Sequence, residues 1–175
     1  MIRATVFRNA ASMQRRGRAA RAQRGRTPMS EVKQYYLEDL AVGMTADYHR
    51  VVTEDMIESF ADVSGDYNPL HLDEEYAKST MFNGRIAHGI LGASFISKIF
   101  GTEMPGKGSV YISQTLRFLA PVRIGDTVTT TVEVVDINRE KKRVAFKSRC
   151  RVDRTVVIDG DATILVPSRA STKAA

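Results

Sequence analysis

His88-Gly-Ile-Leu-Gly-Ala-Ser-Phe-Ile-Ser-Lys-Ile-Phe100 carries apolar residues on nearly every side of a helix, with only Ser94, Ser97 and Lys98 clearly polar after its first residue. A helix with so little polar surface belongs inside a domain. Downstream the period changes from helical to alternating. Val110, Ile112, Leu116, Phe118 and Ala120 alternate with Tyr111, Ser113, Thr115 and Arg117 until Pro121. Val128, Thr130, Val132 and Val134 form the next run, and Val144, Phe146, Cys150 and Val152 oppose Lys147, Arg149 and Arg151 in a third. A last strand over about 155–166 follows a turn at Asp153-Arg154, with a bend expected at Gly160. Four long strands on short turns make an antiparallel sheet with one dry face. One buried helix and one dry face predict a sheet wrapped around a helix, an α+β domain.

Upstream of that helix, Met44 to Val52 reads as a short strand, and Thr53-Glu-Asp as the start of a helix with Thr53 as N-cap. Met56, Ile57, Phe60, Ala61 and Ser64 share one face of it, and Gly65 is its stop. The chain is thereby delivered to Asp66-Tyr-Asn-Pro-Leu-His71. Asn68 precedes proline and is pushed toward extended backbone. Pro69 has a fixed φ and no N–H. The bend is stiff, and Asp66 and His71 can be aimed at one point. A carboxylate and an imidazole sharing a water can move its protons. Such a pair titrates as a unit, so the residues leave open which is acid and which is base.

The 175 residues suffice for one domain with a core. The net charge of +6 misleads, because residues 1–30 hold eight arginines and no acid, and taking these away leaves −2 for residues 31–175. A nucleic-acid-binding domain loses its main support. Residues 1–30 read as a disordered Arg-rich extension. Three readings stand for it: a start at Met29, an organelle transit peptide, or a basic tail for an anionic partner. A cytoplasmic protein is expected, or a mitochondrial-matrix one on the transit-peptide reading. No apolar run spans a bilayer. Cys150, the lone cysteine, excludes an intrachain disulfide and a cysteine metal cluster, and reads as a buried inert thiol.

Phe60-Ala-x-x-Ser-Gly-Asp-x-Asn-Pro-x-His-x-Asp73, followed by Ile86-Ala-His-Gly-Ile-Leu91, resembles the MaoC-like, (R)-specific enoyl-CoA hydratase family. Gly106 to Tyr111 and Phe118 to Asp126 look like its later segments, so the resemblance covers about residues 35–167. It implies a single hot-dog domain, here 31–168, with 169–175 as a C-terminal tail. It implies reversible addition of water to a trans-2-enoyl-CoA, giving the (R)-3-hydroxyacyl-CoA. CoA is then part of the substrate, and no metal or further cofactor is expected. Family members are usually dimeric, so a homodimer or higher oligomer is expected. The catalytic pair falls by resemblance on Asp66 and His71, and the oxyanion donor on the backbone N–H of Gly89. Asn68 and Ser97 are placed among the substrate-binding positions. Asn68 would serve by holding the bend with its side chain, and Ser97 by positioning groups in the pocket.

The chemistry suits these residues. Hydration puts hydroxide on Cβ and a proton on Cα while negative charge gathers on the thioester oxygen. A fixed backbone donor aimed at that oxygen is worth about 3–4 kcal/mol in other enzymes. His88 is read as a packing and helix-start residue, and His49 is given no role. Two other functions compete: a hot-dog thioesterase, which would release free CoA, and a non-catalytic acyl-CoA or acyl-carrier binding module.

Overall fold

The computed structural model describes residues 31–172, with side chains to 170, and the expectations for residues 1–30 lie outside them. From Val32 onward the described chain forms one unit. The alternation after residue 110 becomes four strands: β2 (Val110–Gln114), β4 (Thr127–Asn138), β5 (Arg143–Val152) and β6 (Thr155–Leu165), with a two-residue β3 (Arg117–Phe118) between the first two. With β1 (Thr45–Val51) they make one antiparallel sheet in the order β1-β4-β5-β6-β2, and β3 also pairs with β6. β4, β5 and β6 are consecutive hairpins, in which Val132 faces Ser148 and Ser148 faces Gly160. Positive φ at Lys142 and Asp153 marks the two tight turns between them.

Between β1 and β2 lie the helices: α1 (Glu54–Ser64), the short α2 (Pro69–Leu72) and α3 (Glu74–Lys78), and α4 (Gly89–Thr102). α4 lies against the inner face of β1, β4 and β5. Its Leu91, Phe95, Ile96, Ile99 and Phe100 are buried with Val128, Val132, Val144, Phe146 and Ile164 of the sheet. A curved antiparallel sheet around one long helix is the hot-dog arrangement the sequence predicts. No helix among the described residues is long and apolar enough to cross a membrane.

Three details differ from the expectations. Thr53 occupies the N-cap position of α1, but its side chain makes no capping bond. The expected single strand 110–120 is broken into β2 and β3, with a register shift between Tyr111 and Ser113 and with the Thr115 carbonyl so close to Gly160 that a Cβ there would overlap it. Within the C-terminal tail, residues 169–172 form a helical turn, α5 (Arg169–Thr172), with Arg169 bonded to Asp39 at 2.7 Å and Ser168 to Glu38 at 2.5 Å. α4 is not buried all round, since Ile90 is 54% exposed in the single chain.

Candidate active site

Gly65 ends α1 in the left-handed conformation, φ 77°, and donates its N–H to Ala61 at 2.8 Å. The chain leaves the helix there and enters a local hydrogen-bond web. Ser64 Oγ donates to the Phe60 carbonyl at 2.6 Å and accepts from the Asp66 N–H at 3.2 Å. Asp66 Oδ1 accepts from the Asn68 N–H at 3.2 Å, and Asn68 Oδ1 caps α2 by accepting from the Leu70 N–H at 3.1 Å. Asn68 has φ −54° and ψ 126°, the extended backbone that a following proline requires. Asn68 therefore holds the bend and is not among the cavity-lining residues.

His71 lies on the one-turn α2, and its ring points inward and is buried. Its Nδ1 lies 2.9 Å from the Ile86 carbonyl. A carbonyl only accepts, so Nδ1 carries the hydrogen and Nε2 keeps a free lone pair. That settles the resting tautomer, which the sequence leaves open.

The second half of the site is the start of α4. His88 is its N-cap and is only 3% exposed. Its Nε2–H donates to the backbone carbonyl of Asp66 at 3.0 Å. Its ring lies 3.9 Å from that of His71, inclined by 33°, and 5.0 Å from Phe60. Burial holds the His88 imidazole below the ordinary histidine range; the bond to the Asp66 carbonyl opposes this and the neighbouring His71 adds to it. His88 Nδ1 is buried with no hydrogen-bond partner among the described residues. The sequence reading of His88 as a packing residue is thus incomplete. The available signal was its place directly before Gly89, but only the fold shows which ring it meets.

These groups border a cavity of about 450 Å³ whose walls include His71, His88, Gly89, Phe118, Leu119 and Ile158. Apart from the two imidazoles its lining side chains are apolar, as an acyl chain requires. Gly89 opens α4, where the first N–H groups have no carbonyl one turn behind them. A Cβ on Gly89 would stand 2.7 Å from the Phe118 ring. The missing side chain thus admits Phe118 against the helix start, whereas the sequence suggests only clearance for a ligand. Met81, Phe82, Phe118 and Leu119 complete the walls without any sequence mark that separates them from ordinary core residues.

One nitrogen or carboxylate oxygen each from Asp66, His71 and His88 lies within 4.8 Å of the others. The structure therefore brings Asp66 and His71 together; His71 lines the cavity with Gly89, whereas Asp66 is exposed and is not among the lining residues. The structure does not bring Ser97 to them: that side chain is exposed on α4 and does not line the cavity. As a cation site the trio is poorly disposed. The two rings are stacked rather than splayed around a point. Cys150 is buried as expected, and burial pushes its thiol up, the behaviour of an inert core residue.

Comparison with known proteins points the same way. The MaoC like domain matches residues 39–156. An (R)-specific enoyl-CoA hydratase of Rhodospirillum rubrum is 50% identical over 135 residues, covering 77% of this chain and 94% of that protein. A 3-hydroxybutyryl-CoA dehydratase of Methylorubrum extorquens is 45% identical, covering 81% of this chain and 90% of its own length. Among solved structures, an R-hydratase from Pseudomonas aeruginosa in the unliganded form superposes with a TM-score of 0.75 at 40% identity, over 80% of this chain and 90% of that one.

Proposed function

The chain belongs to the MaoC-like dehydratase family, and from that premise we propose that it hydrates trans-2-enoyl-CoA reversibly to (R)-3-hydroxyacyl-CoA, with Asp66 and His71 handling one water. The relatives are hydro-lyases by name, and the reading as a hydratase rather than a thioesterase or a silent binder rests on them. One observation carries the assignment of roles: the Asp66 carboxylate lies within 4.8 Å of an imidazole that lines an apolar cavity at the first turn of a helix.

The acyl chain enters the cavity with its thioester oxygen toward the Gly89 N–H. The water sits between Asp66 and His71. The lone pair on His71 Nε2 takes one proton from the water as its oxygen bonds to Cβ, while the second hydrogen stays on that oxygen and donates a hydrogen bond to the Asp66 carboxylate. Electrons move from the double bond onto the thioester oxygen, where the Gly89 N–H and the α4 dipole stabilise them. As the carbonyl re-forms, the pair returns one proton to Cα and ends as it began. Each group contributes roughly 10²–10⁴-fold.

The partner that fits is a second copy of this chain. Among the described residues β2 is an edge strand, and Val110 and Ile112 on it are about half exposed, beside the exposed Ile90 of α4. A second edge laid there covers all three. The assigned compartment is the cytoplasm, with the mitochondrial matrix as the outcome if residues 1–30 direct import; fractionation of a tagged chain separates them.

The test is hydration of crotonyl-CoA, read as loss of the enoyl absorbance, by the wild type and by Asp66→Asn and His71→Ala. Both variants fold and lose at least about 10²-fold in rate. Near-normal rates in either defeat the mechanism, and free CoA from the same substrate assigns a thioesterase instead.

A further inference from the structure

The stacked histidine at the helix start has more to do than fill space. Asp66 is exposed and follows directly on the end of α1. His71 is tied through Nδ1 to the Ile86 carbonyl, a single bond that does not by itself fix the tilt of the ring. Both need a fixed reference, and the same residue supplies it. We propose that His88 is a positioning residue for hydration: its Nε2–H pins the Asp66 backbone, while its ring face sets the tilt of the His71 imidazole. This rests on the reading of Asp66 and His71 as the water-handling pair.

Three observations support it. The reference is itself rigid, because the His88 carbonyl accepts from Leu91 at 3.1 Å and from Gly92 at 3.5 Å in the first turn of α4. His88 is joined directly to Gly89, so the pair and the oxyanion amide are held by one dipeptide. A buried neutral ring is also the right platform. A second cation 3.9 Å from His71 would oppose proton transfer to it, and the surroundings of His88 keep it uncharged. Two substitutions separate the ring from the N–H. Phenylalanine keeps the ring without the N–H. Glutamine places an N–H near the position of Nε2 without the ring.

The experiment uses that split on the full chain: His88→Phe, His88→Gln and His88→Ala, with kcat and KM for crotonyl-CoA. An ångström of misplacement at reacting groups costs up to about 10²-fold. The expected losses in kcat are roughly tenfold for each of Phe and Gln and roughly 10²-fold for Ala, with KM within about twofold throughout. A packing role predicts otherwise, because phenylalanine restores the volume and kcat stays near wild type. That result, or a loss confined to KM, overturns the proposal. If the alanine variant does not fold, the Phe and Gln pair still decides. NMR of the His71 ring protons gives a reading without substrate. Their ring-current shift is lost in His88→Gln and kept in His88→Phe; no change in His88→Gln refutes the stack. A wild type with no hydration activity but these NMR shifts sinks the proposed reaction and leaves the contact standing.

Discussion

The three central strands and the β2–β3 edge carry the same alternation of apolar and polar residues, yet they end in opposite states. Val128, Val132, Val144, Phe146 and Ile164 on β4, β5 and β6 are completely buried under α4. Val110 on β2 and Phe118 on β3 are 51% and 52% exposed. The pattern fixes which way a side chain points, while what covers it depends on the rest of the assembly. The central strands complete the core within one chain. The edge leaves apolar surface exposed, and Phe118 on it lines the cavity.

Replacing Phe146 with Ala should break the central region hardest. It opens a cavity among residues that already touch, at a cost of about 3–5 kcal/mol, measured by denaturant unfolding. The folded fraction should keep its kcat. Charging the edge should act on association instead. Val110→Glu or Ile112→Glu would bury a carboxylate between copies, and self-association in sedimentation should weaken by roughly tenfold to 10²-fold with the monomer still folded. An unchanged oligomer would remove β2 from the interface.

Gly89→Ala sharpens the contrast from the site side. Its methyl meets the Phe118 ring, and overpacking of this kind costs about 1–3 kcal/mol. Activity should drop by about tenfold or more, and Phe118→Ala in the same chain should restore part of it. Recovery that fails would mean the amide, not the crowding, is disturbed. The smallest effect is a pH dependence. His88 is held below its ordinary value by burial, with Asp66 and His71 the titratable groups facing it. Its contribution to stability is therefore present above pH ~6.5 and is lost as the pH falls and the buried ring must charge. The melting temperature of wild type should fall faster than that of His88→Phe between about pH 6.5 and 5.

Much of this was legible in the chain because it is local. Gly65 stops a helix, Asn68 caps a turn and Pro69 fixes a bend whatever the remainder does, and these put Asp66 and His71 on either side of one bend. The buried helix and the hairpins follow from period alone. What was not legible depends on residues distant in sequence. At the break in strand 110–120 the Thr115 carbonyl closes on Gly160, 45 positions away. Phe118 seats on Gly89 across the cavity, and nothing at either position announces it. His88 meets His71 only because α2 and the start of α4 converge. Ser97, placed near the chemistry by resemblance, lies exposed and outside the cavity wall.

The central claim is that one carboxylate and one imidazole act together on a single water. It is tested most directly by the crotonyl-CoA hydration rate of the double variant Asp66→Asn/His71→Ala beside the two single ones. Groups that act as a unit are not additive, so the double variant should be no slower than the slower single one. Losses that multiply would show two independent contributions and contradict the account.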